Sequence, residues 1–135
     1  MQSMNKIPFS KPEVGADEMY AISQVMESGH LTTGPLTKEF EEKFAKYVGA
    51  KYAVFLNSCT SALKLAITWH RIQIQKTAGQ GYRPMVLAPS LTFTATINEI
   101  VESGCLPMFM DVDEHNLCMM RKHIEDFEKD NDLII

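Results

Sequence analysis

Leu56-Asn57-Ser58-Cys59-Thr60-Ser61-Ala62-Leu63 is the stretch whose reading decides the fold. On its amino side, Lys51 to Asn57 carries Tyr52, Val54, Phe55 and Leu56, a short apolar run of β-forming residues that suits a strand buried on both faces. On its carboxyl side, Leu63, Ile67 and Ile74 recur at a helical period. A strand that turns into a helix through small polar residues is a βα connection, and the same alternation continues downstream. Two glycines and a proline break the helix between Thr77 and Pro84, and Met85 to Ala88 reads as the next strand. A helix carrying Ile97, Ile100 and Val101 runs up to Gly104, followed by a strand at Leu106 to Val112 and a helix around Met120 to Phe127. Leu133-Ile134-Ile135 begins a further strand. Strands alternating with helices indicate a parallel α/β sheet, whose strands need covering on both faces.

Upstream the pattern is helical only. Met19, Ile22, Val25 and Met26 predict a helix from about Ala16 to Ser28, with Ser28-Gly29 as its stop. A loop follows at Gly29 to Leu36. Phe40, Phe44, Tyr47 and Val48 form the next apolar stripe, with Glu39, Glu41 and Glu42 expected near the positive end of the helix dipole and Gly49 closing it. The expected organisation is an N-terminal helical segment over residues 1–50 and the first part of an α/β domain over 51–135. Three strands and a stump do not complete such a sheet.

With 135 residues, 45% of them hydrophobic and 22% charged, the chain has the make-up of a globular domain and not of a disordered tail. Its net charge of -4 comes from mixed acids and bases, leaving no basic face for counterion-releasing contacts with nucleic acid. No run of about 18 apolar residues spans a bilayer and no secretory leader is evident, so a cytoplasmic location without membrane association is expected. Cys59, Cys105 and Cys118 lack CxxC spacing, and His30, His70, His115 and His123 lack a metalloprotease pairing, so neither disulfides nor a metal site is expected.

The turn at 57–63 favours an anion. Backbone N–H groups at Cys59, Thr60 and Ser61 open the helix, its dipole adds positive potential, and the Ser58 and Thr60 hydroxyls can donate. Simple N-capping by Ser58 or Thr60 is the alternative, since such side chains satisfy a helix start with no ligand at all.

Several segments, in order, resemble the DegT-type sugar aminotransferases of the fold-type-I pyridoxal phosphate enzymes. They are Ile7-Pro8-Phe9, His30-Leu31-Thr32-Thr33-Gly34-Pro35, Phe40-Glu41, Tyr47-Val48-Gly49, the Asn57-to-Leu63 turn, Pro89-Ser90-Leu91-Thr92-Phe93-Thr94-Ala95-Thr96, and Gly104 with Pro107-Met108-Phe109-Met110-Asp111-Val112-Asp113. The resemblance implies the front part of a three-layer α/β/α large domain and the cofactor pyridoxal 5'-phosphate. It implies that Cys59, Thr60 and Ser61 hold the cofactor phosphate and that Phe93 stacks on its ring; without it, Phe93 reads as core filler. Cys59 stands where glycine or alanine is common in the family, and it is not expected to be a nucleophile. Phe9, Gly29, His30, Leu31 and Thr32 would approach a nucleotide-sugar substrate, although Gly29 also reads as an ordinary helix stop and His30 as a solvated loop residue. Asp111 and Asp113 are expected to be architectural.

The resemblance further implies a homodimer and amino transfer from an amino-acid donor, usually glutamate, to a nucleotide-linked keto-sugar. The Schiff-base lysine is expected beyond Ile135, so the segment alone should not turn over; Lys51 and Lys64 are expected to be solvated charges. A minority of the family replaces that lysine and performs dehydration. The link from Trp69 to Arg83 is longer than usual, which predicts an extended helix and loop. The rival reading is a non-catalytic binding or assembly module that keeps the phosphate turn; a nucleotide-binding domain lacks the glycine-rich motifs it would need.

Overall fold

A computed structural model describes Ser10 and residues 12–131. The chain divides into two compact units between Phe55 and Leu56.

The first unit holds α1 (Ala16–Ser28) and α2 (Pro35–Val48). Gly15 caps α1, and the Glu18 carboxylate reaches back to accept the Gly15 N–H at 2.7 Å. Gly29 ends α1 in the left-handed region, at φ +72°, its N–H donating to the Met26 carbonyl. None of the residues of α1 is buried. Pro35 opens α2 earlier than the acidic residues suggested, because its fixed φ and missing N–H suit the first helical position. Glu39, Glu41 and Glu42 therefore sit beyond the first turn and do not serve the dipole: Glu39 pairs with Lys43, and Glu41 accepts a backbone N–H from Phe55. Phe40 stacks on Phe44 with centroids 5.7 Å apart, and Ala45 is buried.

The expected strand over Lys51 to Asn57 is not formed. The segment is extended but has no ladder partner among the described residues, and Tyr52 and Val54 are each 76% exposed. Extended backbone becomes a parallel strand only when a neighbour takes its N–H and C=O groups, and the Phe55 N–H is taken by a side chain instead.

The second unit is built around β1 (Met85–Pro89) and β2 (Leu106–Met110), with α3 (Cys59–Ala78), α4 (Thr94–Glu102) and α5 (Arg121–Asn131). The strands pair in parallel, Met85 opposite Leu106 and Pro89 opposite Met110. β2 stops short of Val112 because the Val112 N–H turns to the neighbouring Asp111 carboxylate at 2.8 Å. The strand expected at Leu133 to Ile135 lies outside the described residues. Ala88, Ile100 and Cys105, each 1% exposed, form the core, with Ile67, Val86 and Ile97 against it. The extended helix after the turn is present: α3 runs to Ala78, and the Gln75 amide holds the loop behind it through the Gln80 and Tyr82 carbonyls. Phe109 on β2 is 56% exposed.

Candidate functional site

The candidate site begins at the start of α3. Ser58 is the N-cap, in extended backbone, and its Oγ accepts the Ser61 N–H at 3.1 Å while donating to Ser61 Oγ at 3.0 Å. One of the three N–H groups at this helix start is thus consumed by capping. The N–H groups of Cys59 and Thr60 have no acceptor among the described residues, and both residues are exposed. Two aligned donors at the positive end of a 20-residue helix, with the Thr60 hydroxyl beside them, form a site complementary to an anion. The capping and anion readings both hold: Ser58 satisfies Ser61 and leaves its two neighbours free.

The direction of α3 follows from its contacts with α4. Lys64 meets Glu99 and Thr68 meets Ser103, pairs that advance together along both helices. The two helices therefore run the same way. Because α4 connects two parallel strands, it begins at the carboxyl edge of the sheet and ends at the amino edge, and α3 does likewise. Ligands of open α/β sheets bind at that carboxyl edge.

Phe93 is the N-cap residue of α4, at this edge, and its ring is 82% exposed. It is not core filler. The Thr92–Thr96 hydroxyl bond at 3.0 Å and the Thr96 N–H to the Phe93 carbonyl at 3.0 Å fix the backbone that carries the ring. Ser90 anchors the preceding loop, its N–H donating to the Met110 carbonyl at 2.7 Å. Asp111 binds the Val112 N–H, and Asp113 accepts from His115 and Asn116 in the following turn, so both carboxylates are occupied in local architecture.

In the first unit, Gly29 is the left-handed stop of α1, and the His30 N–H donates to Ser28 Oγ at 3.2 Å. His30, Leu31 and Thr32 line a concavity of about 110 Å³ with Val25 and Pro35. A Cβ on Gly34 would stand 2.9 Å from the His30 Cβ, so the loop closes around a glycine. Phe9 lies outside the described residues.

Lys64 is the solvated charge the sequence suggests, its side chain 50% exposed, and it is also ion-paired. Its Nζ lies 2.8 Å from Glu102 Oε2 and 3.7 Å from Glu99 Oε2, and these carboxylates hold its pKa above the ordinary lysine value, the hydrogen bond it donates to Glu102 contributing most. Glu99 and Glu102, the partners of Lys64, were passed over in the sequence; the signal available was two acids one helical turn apart beside a buried isoleucine. Among the described residues, no helix is long and apolar enough to cross a membrane.

The DegT/DnrJ/EryC1/StrS aminotransferase family profile matches residues 12–129. The spore coat polysaccharide biosynthesis protein SpsC of Bacillus subtilis is 41% identical over 111 residues, which are 82% of this chain and 26% of SpsC. Spr1654 of Streptococcus pneumoniae, described as a sugar aminotransferase and solved in PLP, PMP and apo forms, superposes in its PLP form with a TM-score of 0.71 at 30% identity, over 89% of this chain and 29% of that one. The E. coli GDP-4-keto-6-deoxy-D-mannose-3-dehydratase with bound hydrated PLP gives 0.72 at 26% identity, over 92% and 31%. The chain thus spans about a quarter of the length of the curated relative it matches, and its neighbours are fold-type-I pyridoxal phosphate enzymes.

Proposed function

The chain belongs to the DegT/DnrJ/EryC1/StrS aminotransferase family, and from that premise we propose that it is the front part of a pyridoxal-phosphate-dependent enzyme that transfers an amino group to a sugar. The acceptor is read as a keto-sugar on a nucleotide carrier, the donor as an amino acid, glutamate first, and the working form as a cytoplasmic homodimer. One observation carries the reading: the unpaired N–H groups of Cys59 and Thr60 share the carboxyl edge of the sheet with the exposed ring of Phe93.

These residues fit the cofactor. Cys59 and Thr60 would hold its phosphate through backbone N–H groups, and Ser61 through its hydroxyl, because its own N–H is already bonded to Ser58. Phe93 would stack on the pyridine ring, which contributes ~0.5–1.5 kcal/mol beyond burial and keeps water from one face. The loop Gly29 to Thr32, together with Phe9, would meet the substrate. Bound pyridoxal phosphate supplies the electron sink for the carbon that loses a proton. Lys64 is committed to Glu102 and Glu99, so the lysine that moves that proton is assigned to the remainder of the full-length protein.

A second reading is favoured by the dehydratase: its fold matches this segment as well as the aminotransferase does, so the segment is compatible with either chemistry. The test is to express the complete reading frame, record cofactor absorbance with and without borohydride, and then add glutamate. A band that borohydride fixes to one downstream lysine, and that glutamate discharges, is expected. A band without such a lysine, unmoved by glutamate, transfers the assignment to dehydration. With no band at all, the binding or assembly module is what stands.

A further inference from the structure

The helices that carry the proposed phosphate and ring contacts are pinned to each other some distance behind the site. Lys64 on α3 bridges Glu99 and Glu102 on α4, at 3.7 and 2.8 Å. Glu99 is only 7% exposed, and its Oε2 has no hydrogen-bond partner among the described residues. Lys64 is the cation that offsets that buried charge and separates two acids one turn apart, which repel when unpaired. One turn further along, Thr68 Oγ1 and Ser103 Oγ share a part-buried hydrogen bond of 3.2 Å. The pairs 64/99 and 68/103 have the same offset, 99 − 64 = 103 − 68 = 35, so the helices keep register across that turn. Carried back to the helix starts, the same offset sets Cys59 and Thr60 level with Thr94 and Ala95, beside Phe93.

We infer that Lys64, backed by Thr68, is a positioning residue that sets the separation between the Cys59/Thr60 N–H groups and the Phe93 ring. This rests on the reading above, in which one rigid ligand, anionic at one end and aromatic at the other, spans both. Lys64 is 50% and Glu102 59% exposed, and an ion pair so open to water adds little to global stability. Its consequence is geometric: a ligand of fixed length gains from both contacts only when the two helix starts stand at the matching distance.

The test uses the full-length protein and its apparent affinities for pyridoxal phosphate and for phosphate-free pyridoxal, with the circular dichroism of the bound cofactor and the melting temperature. Wild type should prefer the phosphorylated form strongly. Lys64→Met is expected to cut that preference about tenfold, within the usual range of coupling between sites, and to weaken the dichroic band. Thr68→Val should move both in the same direction, with a fold suited to measurement even where Lys64→Met is poorly produced. Lys64→Arg, which keeps a cation against both Glu99 and Glu102, should restore both readouts. Preference and dichroism left intact in Lys64→Met, whatever its melting temperature, or a Lys64→Arg that restores neither, overturns the inference. A wild type that binds both forms equally overturns the phosphate reading itself, a separate result from either.

Discussion

Glu41 on α2 accepts the backbone N–H of Phe55 at 2.8 Å, fourteen residues along the chain, while the Phe40 ring meets Phe55 edge-on at 5.3 Å. This pair of contacts ties the extended segment to α2 without a β-ladder. Removing the acceptor by Glu41→Ala should loosen the segment by about 1 kcal/mol, the value of an ordinary hydrogen bond and below that of one to a fully buried charge, because Glu41 is only partly buried. Amide exchange at Phe55 should quicken about fivefold, and Glu41→Gln, which keeps an acceptor, should fall between the two. An unchanged Phe55 rate in Glu41→Ala means that the aromatic contact alone holds the segment.

Glu18 governs the start of α1 in a pH-dependent way. The N–H of Gly15, more than any other group, holds its carboxyl below the ordinary glutamate value. A depressed folded pKa contributes stability that is complete above the unfolded value and is lost as pH falls through the folded one. The Gly15 amide resonance should therefore titrate with the Glu18 carboxyl on acidification, and the first turn of α1 should fray below that point. In Glu18→Gln the titration should vanish; if the Gly15 amide still titrates, another carboxylate is responsible.

How far the fold could be read from sequence depended on the range of the interactions. α1, α2 and α4 combine an apolar period with a glycine stop, and Gly29, Gly49 and Gly104 all take positive φ, so local information was enough. The Lys51-to-Asn57 segment has strand composition, but a ladder needs a neighbour that composition cannot supply. The start of α2 was misjudged because three acids looked like dipole partners, whereas Pro35 sets the first turn. At the site, the donor-rich start of α3 was legible, yet which N–H the Ser58 cap would consume was not. Phe93 needed the family resemblance, since an exposed ring and a packed one look alike in sequence. The pairing of Lys64 was missed because its partners lie 35 and 38 residues away on another helix.

Cys105 and Ile100 offer a check on the core. Burial pushes the Cys105 thiol above the ordinary cysteine value, against the opposing influence of Arg71 and Arg83, whereas Cys59 and Cys118 are exposed. Alkylation at neutral pH should label Cys59 and Cys118 and spare Cys105, as read by peptide mass spectrometry. Ile100→Ala removes a side chain that is 1% exposed and should cost ~2–5 kcal/mol, bringing Cys105 into the labelled set. Rapid labelling of Cys105 in the unmutated protein contradicts the packing described.

Cys59 allows the anion reading to be separated from simple capping. It is the first residue of α3, where a proline removes an N–H that has no intrahelical acceptor and its fixed φ suits the helix. The preceding Ser58 has φ −159° and ψ 155°, an extended conformation that a following proline tolerates. Cys59→Pro should therefore leave the melting temperature of the full-length apoprotein within a degree or two. Cys59→Ala retains the N–H and controls for loss of the thiol. If that N–H holds the cofactor phosphate, Cys59→Pro should weaken pyridoxal phosphate binding about tenfold, the scale of one hydrogen bond to a charged group, and Cys59→Ala should not. If proline and alanine bind equally well, the N–H at Cys59 takes no part in holding the phosphate, and the start of α3 is a capped helix terminus at that position.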